Sequence, residues 1–494
     1  MANRWHVDVR PPCRLPGWAV VLGLCGFVCL AGCRETVESP AFPSTALALT
    51  PQDRLLVLAP HPDDEVLGCG GIIQQAVAMG VPVHVVFLTY GDNNQWSFLV
   101  YRKHPVLSPK GVQRMGLVRH DEAVAAAQRL GLAPEDLTFL GYPDFGTLPI
   151  WTSYWGDRPP FTSMLTRVTA VPYANALRPG APYKGEEILR DLTTVLRAFK
   201  PTKVFVSHPS DHMPDHQALY LFTQIALWDL QTEMRPAVYP YLVHFKRWPR
   251  PRGYHPQTLL EPPPHLQSVV VWQSHALSPE DVKRKYAAIQ AHRTQYAYSR
   301  RYLLSFIRPN ELFGDFPVVR LRVDAPPIPL SSGRHAEFVE TPEQLLEEEQ
   351  AAFVGLQWRH VQVTDGQLVL SIEFSRPLAE TVSASVYAFG YRSDRPFGQM
   401  PKLQVKLDAL SHSVFNHAER LREDRVRVTR TSTLMTVAIP LEFLGNPQRI
   451  LTSARSYLAD VPLDWAPWRT LEVLEQARAL SSGRRRPAAA GSGR

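Results

Sequence analysis

Along the first two thirds of the chain, apolar residues gather in short unbroken runs, each followed by a stretch with helical spacing. The first run, Leu55-Leu56-Val57-Leu58-Ala59, carries no charge and ends in Pro60-His61-Pro62-Asp63-Asp64-Glu65, after which residues 66–79 place apolar side chains at helical intervals. That order predicts a strand buried on both faces, a tight turn and a helix. The unit repeats. Residues 81–90 read as a strand ending in Gly91-Asp92-Asn93, residues 110–130 as a helix, and residues 137–140 as a strand ending in Gly141-Tyr142-Pro143-Asp144. After a Pro- and Trp-containing excursion over 145–184, a helix is predicted at 186–200, a strand at 202–207 and a helix at 215–230. Strands at 238–245 and 268–272 and a helix at 278–295 complete this part. Repeated βα units imply a parallel sheet covered by helices on both faces.

Beyond residue 356 the period drops to that of strands. Runs at 361–363, 368–374, 383–389, 403–407, 426–428 and 434–439, several of them separated by Gly and Asp turns, predict an antiparallel β-sandwich. The fold class is therefore α/β: a Rossmann-like parallel sheet with helices on both faces, followed by a C-terminal β-sandwich. A length of 494 residues exceeds what one hydrophobic core usually supports, which also calls for two domains. The expected boundaries are a first domain over 53–325, a Pro-rich then acidic linker over 326–355, a sandwich over 356–475 and a low-complexity tail over 476–494. The stretch Asp464-Trp465-Ala466-Pro467-Trp468 faintly resembles sugar-binding sandwich modules, but Trp more often serves as core.

The N-terminus adds a compartment. Arg4, Arg10 and Arg14 form a basic start, residues 17–32 an apolar core that is short for a membrane span, and Leu30-Ala31-Gly32-Cys33 resembles a lipobox. On that reading residues 1–33 are a lipoprotein signal, Cys33 is lipidated, and residues 34–52 are a flexible tether. The protein is then exported and lipid-anchored at the cell envelope, on the membrane or periplasmic side. The competing reading is an uncleaved N-terminal anchor. With Cys13, Cys25 and Cys29 removed and Cys33 modified, Cys69 is left without a disulfide partner. A formal net charge of +7 comes mostly from scattered arginines, with no basic helix or aromatic-basic alternation, so nucleic acid is not an expected partner.

The polar residues at the strand ends carry the chemistry. In open α/β sheets ligands bind just beyond the carboxyl ends of the strands, where His61, Asp63 and Asp64 fall. His61 and Asp64, three apart, can converge on a cation, and Pro62 stiffens the backbone between them. The same acids could instead cap the following helix, and the turn alone leaves both readings open. A second polar cluster, His208-Pro209-Ser210-Asp211-His212-Met213-Pro214-Asp215-His216, ends the strand at 202–207 in the same manner. Gly68, Gly70 and Gly71 lack the spacing of a nucleotide loop and read as close packing beside the turn.

These two clusters resemble the PIG-L/LmbE family of zinc-dependent de-N-acetylases, and the resemblance extends over roughly residues 53–310. The family's hallmarks are Ala-His-Pro-Asp-Asp-Glu after the first strand, here with Pro60 for the alanine, and Pro-Asp-His after a later one, here Pro214-Asp215-His216. The resemblance implies one Zn2+ ion, or another divalent metal, held by His61, Asp64 and His216, with Asp63 as general base. Two imidazoles and one carboxylate leave positions for water and substrate, as in catalytic zinc sites. Asp215 is expected to orient a histidine. Arg119-His120-Asp121-Glu122 resembles the family's Arg-x-x-Glu, and Asp144 its acidic residue that holds sugar hydroxyls. Asp92 joins Arg119 and Asp144 as a substrate-binding residue, and Ala291-His292-Arg293-Thr294-Gln295 is similar to a late His-Arg-Ser/Thr-Gln element. The implied activity is removal of an N-acetyl group from an N-acetylglucosamine-type sugar, glycan or conjugate. The rivals are a conjugate amidase with a larger acyl substrate and a catalytically silent glycan-binding lipoprotein.

One departure stands out. Family members commonly carry a histidine directly before Pro-Asp-His, whereas Met213 occupies that place here and the histidine lies one position back, at His212. A His-x-x-x-His helix does not account for it, because Pro214 favours a helix that starts there. A one-residue bulge between Asp211 and Pro214 would let His212 reach the oxyanion, which is its expected role.

Overall fold

The computed structural model describes residues 44–93, 108–330, 346–422, 425–459 and 461–474. The signal-like segment with Cys33, and the tail, lie outside these residues. The first layer is an eight-stranded sheet in the order β1 (Ser44–Ala46), β7 (Val271–Ala276), β8 (Asn310–Asp315), β6 (Ala237–Tyr241), β5 (Lys203–Ser207), β2 (Leu55–Ala59), β3 (Val83–Thr89) and β4 (Leu137–Tyr142). All five residues of β2 are buried, as an uncharged run demands of a central strand. The chain runs outward from β2 to β3 and β4, then returns to lay β5 on the other side of β2. Strand order reverses between β2 and β5, and a crevice opens at such a point. Both polar clusters leave from these two adjacent strands.

Pairing is parallel except at β8, which runs antiparallel to both β6 and β7. The sheet is therefore mixed rather than wholly parallel. The pattern of the sequence hides β8 because its buried Asn310 and Glu311 are satisfied by distant partners. Glu311 accepts from Lys285 Nζ at 2.6 Å and from the backbone N–H groups of Gly71 and Ile72. Among the described residues the helices of this layer are α1 (Asp64–Ala78), α2 (Pro109–Arg129), α3 (Thr147–Ser153), α4 (Gly185–Phe199), α5 (Pro214–Asp229), α6 (Pro279–Ile289) and α7 (Arg293–Leu303). The single helix expected at 278–295 is thus two, parted where His292 turns inward to Glu65. A Cβ at Gly68 would stand 2.3 Å from the Tyr241 ring and one at Gly71 2.2 Å from Leu277, so these glycines do serve close packing.

The second layer is β-rich. A seven-stranded sheet holds β16 (Glu419–Arg420), β15 (His412–Asn416), β14 (Lys402–Leu407), β13 (Val382–Tyr391), β19 (Arg449–Leu458), β20 (Val461–Val473) and β9 (Val319–Leu321). A five-stranded antiparallel sheet, β10 (Ile328–Pro329), β11 (Leu356–Thr364), β12 (Gln367–Phe374), β18 (Leu434–Pro440) and β17 (Arg427–Arg430), faces it across a shared apolar core. β9 pairs parallel with β20, so the chain joins this layer at 319, inside the span expected for the first domain. All ten residues of β13 are buried because it serves two cores at once. Val382, Ala384, Val386 and Ala388 enter the sandwich, while Tyr387, Phe389 and Tyr391 join the core of the first layer. Trp468 packs there too, and the Trp151 ring of α3 stacks 5.1 Å from Phe397. Among the described residues, no helix is long and apolar enough to cross a membrane.

Candidate active site

His61 sits in the turn after β2, Asp64 opens α1, and His216 lies in the first turn of α5. Their side chains converge. His61 Nδ1 is 3.2 Å from both Asp64 Oδ2 and His216 Nε2, and His216 Nε2 is 3.1 Å from Asp64 Oδ2. Tetrahedral zinc with bonds of about 2.0–2.1 Å sets its ligand atoms about 3.3 Å apart, so this triangle fits a divalent ion. Asp64 Oδ1 is buried without a hydrogen-bond partner, a vacancy in its bonding that a metal ligand group would tolerate. The far nitrogen of each imidazole meets a carboxylate, as metal-binding histidines require. His216 Nδ1 is 3.0 Å from Asp211 Oδ2, and His61 Nε2 is 3.2 Å from Asp215 Oδ2 and 3.1 Å from Asp144 Oδ1. A second possible ligand group, His61 with Asp144 and Asp215, fits less well. Asp215 already accepts from Phe145 N, Thr147 N and Thr147 Oγ1, and Asp144 from Asn93 N.

The charges reinforce one another. Burial would lower the His216 pKa, yet Asp211 and Asp64 hold it up at about 9. Burial likewise works against protonated His61, but Asp144, Asp215 and Asp64 keep its pKa well above the ordinary value. For Asp64, burial is outweighed by the two imidazoles, which hold the carboxyl well below its usual range.

Asp63 is not part of this triangle, and it holds the N-cap position of α1 without capping the helix through its side chain. Its φ is 124°, and its side chain makes no capping hydrogen bond. That backbone is rare for any residue with a Cβ and costs on the order of 1–3 kcal/mol. Two groups hold it. The Asp63 N–H donates to Glu65 Oε2 at 2.9 Å, and Arg119 Nη2 donates to the Pro62 carbonyl at 2.6 Å. Burial lifts the Asp63 carboxyl to about 7, against the pull of Arg119, whose Nη2 is 3.7 Å away.

A cleft of ≈ 510 Å³ opens over these groups, within the usual range for small-molecule sites. His61, Asp63, Arg119 and Asp144 line it, joined by Asn93, Phe145, Met164, Met213, His244, Gln295 and Tyr298. The sequence-derived residues His61, Asp63, Asp64, Asp144, Asp215, His216 and Arg119 are thus gathered at one place. Arg119 is buried rather than on a helix surface, and its guanidinium also donates to the Gly91 carbonyl at 2.8 Å. It ties the ends of β2 and β3 together as well as walling the cleft.

Two of the expected residues are placed away from the lining of this cleft. His212 does not reach the cleft. Its ring packs 5.2 Å from Phe245 and 5.8 Å from Trp465, centroid to centroid, and burial lowers its pKa to about 4. The loop does not bulge inward because the His212 N–H is paired with the His244 carbonyl at 2.8 Å and Asp211 Oδ1 takes the Met213 N–H. Asp92 is likewise turned away: Tyr173 Oη donates to it, and Asn93 takes its place on the cleft wall.

Several residues escaped the sequence. His244, just after β6, supplies an imidazole to the cleft, with its centroid 5.0 Å from that of His216 and Nδ1 3.2 Å from Tyr302 Oη. The Tyr302 hydroxyl donates to the Val243 carbonyl at 2.7 Å, so it accepts from Nδ1–H of His244 and leaves Nε2 as an acceptor. Burial lowers the His244 pKa to about 4, which keeps the ring neutral. Glu65 and Glu122 stood in the sequence motifs without a role of their own. They secure the late His-Arg-Thr-Gln element, with Glu65 Oε1 3.2 Å from His292 Nε2 and Glu122 accepting from Thr294 N at 2.9 Å. That contact places Gln295 on the cleft. No local pattern announces such pairs, since the partners lie far apart in the chain.

Comparison with known proteins gives this arrangement a setting. Residues 56–227 match the family model described as PIG-L: GlcNAc-PI de-N-acetylase. The 1D-myo-inositol 2-acetamido-2-deoxy-alpha-D-glucopyranoside deacetylase 1 of Saccharopolyspora erythraea is 30% identical over 183 residues, covering 36% of this chain and 55% of the relative. The 4-oxalmesaconate hydratase of Pseudomonas putida is 34% identical over 94 residues, covering 19% of this chain and 34% of the relative. The chain spans between 26% and 55% of the length of the curated deacetylases it matches. Among solved structures, the N,N'-diacetylchitobiose deacetylase from Pyrococcus horikoshii, complexed with its inhibitor MPG, shares 20% identity at a TM-score of 0.32, with 51% of this chain and 75% of that one covered.

Proposed function

Residues 56–227 constitute a PIG-L family domain, and from that premise we propose that the chain is a metal-dependent hydrolase that removes the N-acetyl group from an N-acetylglucosamine-type sugar or its conjugate. The observation that carries the proposal is the convergence of His61, Asp64 and His216 beside a strained, cleft-facing Asp63. His61, Asp64 and His216 would hold the ion, zinc or another divalent metal. Such an ion, when bound, polarises the amide carbonyl and lowers the pKa of a water to about 7.

The protein groups do the rest. Asp63 accepts a proton from the attacking water and returns it to the departing nitrogen, so that amide and water become acetate and amine. A carboxyl with a pKa near the working pH suits both halves of that transfer. Asp215 and Asp211 fix the orientation of the two metal-facing imidazoles. Asn93, Gln295, Tyr298 and the acceptor nitrogen of His244 offer hydrogen bonds to sugar hydroxyls, with Asp144 beside them.

A second reading, an amidase for a larger acyl group, draws on Phe145 and Met164, which border the cleft and are 44% and 80% exposed. A silent glycan binder is disfavoured, because a binder gains nothing from a strained carboxylate aimed at the cleft. Export and anchoring through Cys33 belong to the same proposal on the strength of residues 1–33, and loss of membrane association in Cys33→Ala is the corresponding check. The direct test incubates the purified chain with N-acetylglucosamine conjugates and quantifies both products. Acetate and amine should appear in equal amounts, vanish on chelation and return with zinc. Absence of amine from the metal-loaded protein on every such conjugate, or release of a longer acid instead of acetate, would turn the case toward the rival readings.

A further inference from the structure

The β-rich layer is extraneous to the chemistry outlined so far, yet two of its residues reach the metal-binding loop. On β19, Arg455 Nη2 donates to Gln217 Oε1 at 3.1 Å. Gln217, next to His216 and almost wholly buried, donates from Nε2 to the Asp211 carbonyl at 2.9 Å. The Asp211 carboxylate stands 3.0 Å from His216 Nδ1 and also accepts the N–H groups of Val243 and His244 at 3.1 and 2.8 Å. On β20, Trp465 is the register partner of Arg455 and packs on the ring of His212 in the same loop. The path Arg455–Gln217–Asp211–His216 is continuous from the second layer to Nδ1 of a metal-facing imidazole.

We propose that Arg455 is a positioning residue for the metal site, so that the appended β layer sets the site's affinity for its ion. The reason is the polarity of an amide. A guanidinium has donors and no acceptor, so it selects the oxygen of the Gln217 amide. That choice leaves the NH2 end facing the Asp211 carbonyl, where it can donate. Without Arg455 the Oε1 end of the amide loses its donor, and the side chain is held only through its bond to the Asp211 carbonyl. The Asp211 backbone, and with it the carboxylate that aims His216, loses a restraint. Trp465 closes the same loop from above, which accounts for His212 packing outward rather than into the cleft.

A matched control lies on the same strand. Arg449 Nη2 donates to Gln231 Oε1 at 3.1 Å, and its guanidinium lies 5.0 Å from the centroid of the Trp228 ring. Both arginines join β19 to a glutamine of the α5 region, but Gln231 follows the end of α5 remote from His216. Loss of either contact weakens the junction between layers, and loss of Arg455 alone reaches the metal loop.

The proposal rests on the metal-site reading above, and the experiment separates the two. Zinc affinity of the full chain is measured by competition with a chelator, alongside the thermal midpoint of the metal-free protein. Arg455→Met should weaken zinc binding by about tenfold, the lower end of the range for groups that support metal ligands. Arg449→Met should lower the thermal midpoint without changing zinc affinity. Gln217→Met should match Arg455→Met, and the double variant should lose no more than either single one, since both act along one path. Arg455→Lys, which still offers donors to Oε1, should recover most of the affinity. Wild-type affinity in Arg455→Met, or an equal loss in Arg449→Met, overturns the inference. Absence of zinc binding in the wild-type chain would instead overturn the metal site itself.

Discussion

The backbone N–H of Asp63 donates to the carboxylate of Glu65 at 2.9 Å, and this short-range contact holds Asp63 at a φ of 124°. His292 stands 3.2 Å from the other Glu65 oxygen, so an element more than two hundred residues away helps to fix the turn. The strain is local and removable. Glycine adopts this backbone without a Cβ clash, whereas alanine does not. Asp63→Gly should therefore be more stable than Asp63→Ala by about 1 kcal/mol, after allowance for the greater freedom of glycine in the unfolded chain. Both variants should be inactive. Denaturant melts of the metal-free proteins provide the comparison, and equal stability would mean that Asp63 is not strained in solution.

The acid limb of the pH profile should report Asp63. Burial raises its pKa to about 7 and Arg119 draws it down. A base must be unprotonated, so kcat/KM should climb as pH rises through the Asp63 pKa. A cation held by the neighbouring Asp64 would lower that midpoint, placing the limb below about 7. Removing the Arg119 charge, as in Arg119→Gln, should move the limb to higher pH. A shift to lower pH, or none, would assign the limb to another group.

His244, for which the sequence suggested no part, borders the cleft that His212 was expected to reach. His212 packs against Phe245 and Trp465, whereas His244 lines the cleft. Replacement of His212 by alanine should leave turnover nearly unchanged. His244→Ala should lower kcat/KM by about tenfold, the worth of one hydrogen bond to the substrate. Steady-state kinetics on both variants decides between the two, and the opposite ranking would return His212 to the mechanism.

The two layers should not be separable. Tyr387, Phe389, Tyr391 and Trp468 of the β-rich layer lie in the core of the α/β layer, and Tyr391 Oη donates to Asp229 at 2.9 Å. Burial of each such aromatic contributes roughly 1.5–3 kcal/mol. A fragment of residues 326–494 would expose these side chains and would lack β9, the edge strand paired with β20. It should aggregate, as judged by light scattering, and a monomeric, cooperatively folding fragment would contradict this.

Much of this arrangement was legible in the chain itself. Leu55–Ala59 and the run at 202–207 declared themselves as buried strands because uncharged β-rich runs have few other uses, and their abrupt polar ends located the site. Partnership between those ends is a fact of topology, so it came from resemblance rather than spacing. Asp211 was hidden because its role depends on a bend that turns its carboxylate back to His216. His244 follows an ordinary-looking strand, and only strand order brings it over the cleft. β19 and β20 were overlooked because Pro462 and Pro467 interrupt the second of them and irregular register breaks the alternation. For Asp211 and His244 a tertiary contact, absent from any local window, determined the outcome.

The central claim is that one metal site and one separate base act together, and a single comparison of zinc content with turnover tests it. Wild-type protein, Asp64→Ala, His216→Ala and Asp63→Asn are purified alike, and each is assayed for bound zinc and for amine released from an N-acetylglucosamine conjugate. Asp64→Ala and His216→Ala should lose the metal and the activity together, because each removes a ligand atom from the triangle around His61. Asp63→Asn should keep about one zinc per chain and lose rate by about 10²–10⁴, the usual contribution of a general base. Loss of zinc from Asp63→Asn to the same degree as from the other two would contradict the account, as would near wild-type turnover in that variant.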